Sequence, residues 1–232
     1  MSNGCRFSRK HNWSRDDLDE AGCLMLNDWY QRLGKRCVDL ALTLPVVILL
    51  VPVFLVLAFS IRITLGDPIL FRQRRPGLHG KPFTLYKFRT MTDARDAQGD
   101  LLPDAERLTR FGRFLRSTSL DELPEFFNVL KGEMSLVGPR PLLMQYLDRY
   151  TPEQARRHEV KPGITGWAQI NGRQTALFSQ RLEMDVWYVD HLSLWLDLKI
   201  LLFTIPKTLL SRGVIPGQDV NEVDDVGLYR QA

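Results

Sequence analysis

Two carboxylates stand side by side in Ser119-Leu120-Asp121-Glu122-Leu123-Pro124, and an arginine fixed between prolines follows in Val137-Gly138-Pro139-Arg140-Pro141. These residue types in this order suit phosphate chemistry. A carboxylate in the first turn of a helix can act as nucleophile or metal ligand, the positive helix end attracts anions, and a rigid guanidinium is a fork for phosphate oxygens. Asp121 and Glu122 are the candidate catalytic pair, with Asp121, held ionised by the helix end, poised to attack a phosphoryl group and be carried as an acyl phosphate. An anionic nucleophile facing a diphosphate needs a divalent cation, so Mg2+ is the expected cofactor and Asp121 its expected ligand. Structural readings compete with each of these. Ser119 and Glu122 also match a capping box, with Ser119 as N-cap and Glu122 at N3. Arg140 could equally face solvent from a stiff turn. From Lys161 to Arg173 a turn-rich stretch carries aromatic, amide and arginine groups that could line a nucleotide pocket.

The elements that must hold these groups include one that is unusual. Leu40 to Ile61 is free of charge and long enough, at about 1.5 Å per residue, to cross a hydrocarbon core of roughly 30 Å. Pro45 and Pro52 interrupt it, and each removes a helix hydrogen bond. Lys35-Arg36 lie before the run, and Arg62, Arg72, Arg74 and Arg75 lie after it. Positive flanks favour the cytoplasmic side, so a straight span would put one of them on the wrong face. A hairpin kinked at Pro52, entering and leaving by the same face, satisfies both. A true span and a buried core helix are the alternatives.

The expected organisation is a polar arm over 1–34, a membrane helix over 35–66 and a cytosolic catalytic domain over 67–232. Within that domain, Pro68 to Arg72 and Phe83 to Phe88 read as a β-hairpin, and Thr92 to Glu106 as a solvated loop. Leu120 to Leu130 and Leu142 to His158 read as helices. Near the C-terminus, Trp195, Leu198, Leu202, Ile205 and Leu209 share one helical face, and Asp197, Thr204, Lys207, Thr208 and Ser211 another. Such a helix could lie in a membrane interface or pack as an ordinary core helix. The fold class is therefore α+β, mainly helical. The 232 residues allow one real core, and the net charge of +4 is gathered in clusters that suit lipid headgroups or phosphorylated substrates better than nucleic acid. Three dispersed cysteines form no disulfide framework, and the four histidines lack zinc spacing.

Taken together, Lys35-Arg36, Arg75-Pro76-Gly77, Tyr86-Lys87-Phe88-Arg89-Thr90-Met91, Arg116-Ser117, Ser119 to Leu123, Asn128 to Ser135, Val137 to Pro141 and Pro162 to Gln169 resemble the bacterial sugar transferase family. These are the monotopic polyprenyl-phosphate phosphoglycosyl transferases, and the likeness, closest to their small members, runs from about Lys35 to Gly213. It implies transfer of a sugar phosphate from a UDP-sugar to membrane polyprenyl phosphate, with release of UMP. It takes place at the cytoplasmic face of the bacterial inner membrane, as the first membrane step of glycoconjugate assembly. By the same resemblance Asp121 is the nucleophile that forms a covalent phosphosugar intermediate beside magnesium. Glu122 is its acidic partner in positioning or proton transfer. Arg140, Arg116, Arg89 and Lys87 contact phosphate or substrate, Gln169 and Arg173 serve the nucleotide end, and Lys35-Arg36 anchor to headgroups. The implied partners are the donor, the acceptor and lipid, with a homodimer left open. Where small members often carry Ser-Pro at the membrane break, this chain has Val51-Pro52. A non-catalytic membrane-docked assembly protein and a soluble nucleotide-binding module are the competing readings.

Overall fold

The computed structural model describes residues 30–172, 176–209 and 225. Most of the expected arm therefore lies outside the described residues, as does Arg173. A π-helical turn, Tyr30–Gly34, leads into α1, Lys35–Thr64. This is one continuous helix with Pro45 and Pro52 inside it, and it is long and apolar enough to cross a membrane. Its buried positions, Lys35, Asp39, Thr43, Val47, Leu57 and Ile61, recur at helical spacing and face the body. Ile48, Leu49, Leu55, Val56, Phe59 and Ile63 project outward, uncovered.

Strands β1, Leu70–Pro76, and β2, Pro82–Phe88, pair antiparallel across a tight turn that includes Leu78–Gly80. The hairpin expectation holds, but the first strand starts two residues later than expected and extends to Pro76. A loop with two isolated bridges and a short helix α2, Asp104–Arg107, leads to α3, Arg110–Ser117. Helix α3 sits directly on the Thr90 carbonyl. A Cβ at Gly112 would come within 1.9 Å of that oxygen, so only glycine permits the approach.

A single 3-10 turn, Leu120–Glu122, precedes α4, Glu125–Lys131. Next come β3, Ser135–Val137, and a run of short turns ending in α5, Pro152–Ala155, and Arg156–His158. The helix expected over Leu142 to His158 is thus broken. Tyr150 and Thr151 are extended, and Thr151 caps the next turn with a full capping box to Gln154. Strand β4, Gly163–Thr165, lies parallel to β3. It is followed by α6, Trp167–Asn171, α7, Phe178–Asp190, and α8, Leu194–Leu209.

The main core packs Leu85, Val129, Met134, Val137, Ile170, Tyr188, Leu196 and Ile200 together. A second cluster ties the later half of α1, through Leu57 and Ile61, to Phe88 and Leu115. Of the two faces expected on α8, the apolar one is uncovered. Trp195, Leu198, Leu202 and Ile205 are exposed, Trp195 by 78%, whereas Asp197 is buried with Leu196 and Ile200. The side chains of Lys207, Thr208 and Leu209 lie outside the described ones.

Candidate active site

Alternation along β2 puts Lys87 on the same side as Phe83 and Leu85, toward the body. Asn128, fully buried on α4, fixes that strand by donating to the Thr84 carbonyl at 2.7 Å and accepting from the Tyr86 N–H at 3.1 Å. Strand and helix are thereby held edge to face, and Lys87 reaches two carboxylates, Glu122 at 2.7 Å and Glu125 at 3.1 Å. Arg140 reaches the same Glu122 carboxylate, with both terminal nitrogens directed at it.

Asp121 is 8% exposed, and among the described residues no group hydrogen-bonds its carboxylate. Burial, with Glu122 beside it, pushes its pKa up to about 6 against the pull of Lys87, Arg140 and Arg116. For Glu122, burial is outweighed by Arg140 and Lys87, which hold it well below the usual carboxylate range. Burial raises Glu125 to about 7. Arg140 is held protonated chiefly by Glu122. Adjacent carboxylates pushed in opposite directions have separate tasks. Glu122 is the anion fixed between two cations, and Asp121 is the acid that burial raises. Ionised and held by two cations, Glu122 is placed for the positioning part of its expected role.

Several expectations change here. Ser119 is not a helix cap: its backbone is left-handed, with φ 57°, and its side chain makes no capping bond. Glu122 spends its carboxylate on Lys87 and Arg140 instead. The α-helix begins at Glu125, so Asp121 lies on a single turn ahead of it. Burial then dominates over any helix end, and Asp121 is pushed up to about 6 where a lowered pKa was expected.

Where headgroup anchors were expected, Lys35 is an interior lock and Arg36, half-buried, is tied to the main chain of α4. Lys35 is buried against Asp197 at 2.5 Å and the Tyr188 hydroxyl at 3.1 Å. Arg36 donates to the Val129 and Leu130 carbonyls at the end of α4. Arg89 lines the same cleft, but its guanidinium donates to the Met91 and Asp67 carbonyls and to Asp93, which ties down the loop.

Arg116 is exposed, with its Nε on the Thr90 hydroxyl at 3.1 Å. Gln169 lines the cleft with both amide atoms buried and without partners. Lys87, Arg116, Asp121, Glu122, Arg140 and Gln169 therefore share one cleft. Among the residues lining it that sequence reasoning missed are Glu125, Arg157 and Asp185. Glu125 is the third acid of Asp121-Glu122-Leu123-Pro124-Glu125, one helical turn from Glu122, and that spacing was its only signal.

A preformed metal cage is absent among the described residues, where no three acidic, histidine or cysteine groups converge. Glu122 and Glu125 are occupied by Lys87, which leaves Asp121 as the available carboxylate. One carboxylate suits Mg2+ that arrives with a diphosphate and keeps water and phosphate oxygens as its other ligands.

Residues 30–211 match the sequence profile described as bacterial sugar transferase. A Bacillus subtilis (strain 168) protein named uncharacterized sugar transferase EpsL is 63% identical over 163 residues, covering 70% of this chain and 79% of that protein. The UDP-glucose:undecaprenyl-phosphate glucose-1-phosphate transferase of Klebsiella pneumoniae is 43% identical over 188 residues, covering 77% of this chain and 40% of that protein. The undecaprenyl-phosphate galactose phosphotransferase of Salmonella typhimurium is 38% identical over 198 residues, covering 78% and 41%. The chain thus spans about two fifths of the length of the last two. With the match extending over most of its residues, the chain belongs to the bacterial sugar transferase family.

Proposed function

We propose that this chain moves a sugar phosphate from a UDP-sugar to membrane polyprenyl phosphate of the undecaprenyl type and releases UMP. The observation that carries the reading is Asp121, a buried carboxylate raised to about 6 beside a Glu122 locked by Arg140 and Lys87. In the first step an Asp121 oxygen attacks the β-phosphorus of the donor. The bond from that phosphorus to the bridging oxygen breaks, and UMP leaves with the oxygen. The sugar phosphate is then an acyl phosphate on Asp121. In the second step a phosphate oxygen of the acceptor attacks the same phosphorus and restores the carboxylate. Arg140 and Arg116 face the charge on the transferring group, and Lys87 keeps Glu122 ionised. Asp121 would hold Mg2+ together with the donor, and the bound ion would neutralise charge between diphosphate and carboxylate.

The membrane part of the reading is a helix that enters and leaves by one face. Arg36 meets α4 at Val129 and Leu130, and Phe54 meets the same helix at Phe127, with ring centroids 5.3 Å apart. A straight helix would carry residues 36 and 54 about 27 Å apart, whereas the two points on α4 are separated by roughly 5 Å. Long side chains narrow that difference, and bending of the helix between the two residues, where Pro45 and Pro52 lie, narrows it further. These contacts are in keeping with a monotopic, re-entrant helix. In the same reading the protein sits on the cytoplasmic side and the reaction is the first membrane step of glycoconjugate assembly.

The relatives' names make UDP-glucose and UDP-galactose the first donors to test. Mg2+-dependent UMP release is expected with at least one UDP-sugar and a polyprenyl phosphate acceptor. Enzyme quenched with donor alone should carry a sugar-phosphate mass adduct on the peptide containing Asp121. Full turnover by Asp121→Asn would overturn the assignment.

A further inference from the structure

Arg157 and Asp185 form a buried ion pair that the reaction steps above leave unused. Burying two charges gains little stability over packing two apolar residues of similar size, so what the pair touches is the informative part. Arg157 donates to Asp185 through Nε at 3.1 Å and through Nη2 at 2.7 Å. Its Nη1 donates to the Tyr150 hydroxyl at 3.1 Å. Its Nη2 also donates to the main-chain carbonyl of Arg140 at 2.7 Å.

That carbonyl lies in a tightly bracketed turn. The Gly138 N–H donates to Thr165, and the Pro139 carbonyl accepts from Gly163 at 3.0 Å, which anchors the turn to β4. The Arg140 carbonyl is the next main-chain acceptor after that anchor, so a hold on it brackets the Cα that carries the guanidinium from both sides. Arg157 holds that carbonyl, and Asp185 holds Arg157. Asp185 is itself fixed on α7, where Tyr188, one turn on, hydrogen-bonds Asp197 of α8 at 2.7 Å.

We infer that Arg157 and Asp185 are positioning residues that aim the Arg140 guanidinium at Glu122 and at the phosphate being transferred. The inference rests on the reading of Arg140 as a phosphate clamp. Arg157→Lys keeps the charge but loses the planar fork that serves three acceptors at once. It is expected to lower the rate of adduct formation from the donor 10- to 100-fold, the scale of a misplacement of about 1 Å. In an Arg140→Ala background the same substitution should change that rate less than twofold. Equal losses in both backgrounds would overturn the inference, because Arg157 would then act otherwise than through Arg140.

If the unsubstituted protein forms no adduct with any UDP-sugar, the proposed function fails, and thermal unfolding decides the positioning alone. Arg157→Lys and Glu122→Gln should then give melting shifts smaller together than their sum, since both weaken the same Arg140 contact. Additive shifts would overturn the inference. Should Arg157→Lys not fold, Asp185→Asn, which keeps an acceptor oxygen, takes its place in both cycles, with the same criteria.

Discussion

At Asp121 the requirements of reaction and of folding conflict. An acid raised by burial from 3.8 to about 6 favours its protonated form in the fold. That preference stabilises the fold at low pH and is lost as pH rises through about 6, so above this value the ionised group is a liability. Asp121→Asn should therefore raise the melting temperature at pH 8 while abolishing activity, a gain on the order of 1–3 kcal/mol at about 1.4 kcal/mol per pKa unit. Near pH 4 the gain should vanish. Adduct formation from the UDP-sugar should fall tenfold per unit below about pH 6 and level off above it. The donor-only half reaction is the one to follow, because the acceptor's own phosphate titrates near 6. A lower melting temperature for the variant at pH 8 would show that Asp121 is not held against its ionisation preference. Asp121, Glu122 and Arg140 were legible in the sequence because their spacing and flanking prolines already suggest a task. The division of labour between the two acids was not, since it follows from Lys87, which a separate strand delivers.

Among the elements, the joint between β2 and α4 decides whether the site exists. Asn128 makes it with one side chain by matching a strand carbonyl and N–H with its own donor and acceptor. It also donates to Glu133 at 2.7 Å, which explains why the run from Asn128 to Glu133 belongs together. Removing the amide strands the Tyr86 N–H and the Thr84 carbonyl, at about 1–3 kcal/mol for each buried unsatisfied group. Asn128→Ala should lower stability by roughly 2–6 kcal/mol on that basis and cut activity beyond the loss of folded protein, because Lys87 loses its register against Glu122 and Glu125. Chemical denaturation alongside adduct formation separates the two effects, and an unchanged rate per folded molecule would show that the joint is only structural. The hairpin and α8 were readable from alternation and helical spacing. The broken segment between Leu142 and His158 was not: apolar spacing alone gave no weight to the capping box at Thr151, which restarts the chain there.

For the molecule as a whole, the question is how an apolar helix and a polar cleft share one body. The sequence showed the run from Leu40 to Ile61 but could not show what its flanks do. Lys35 and Arg36 looked like charges for lipid, yet partners distant in sequence, Asp197 and the α4 carbonyls, claim them. The start of α1 is thereby locked to α4, α7 and α8, and its later half is packed on Phe88 and Leu115. With both ends fastened to the catalytic body, the uncovered face, from Ile48 to Ile63, dips into the bilayer under the proposed topology. After replacement of the three native cysteines, single cysteines introduced as Leu33→Cys and Thr64→Cys should react with an impermeant maleimide only in inverted vesicles. Reaction of the two from opposite faces would establish a span. Pro52→Ala restores the helix hydrogen bond that the ring removes. A straightened α1, about 45 Å long at 1.5 Å per residue, could then cross. That variant should move part of the Thr64→Cys population to labelling from the other face. It should lose activity in the same proportion, because a crossing helix pulls Phe54 away from α4 and Leu57 and Ile61 away from the body.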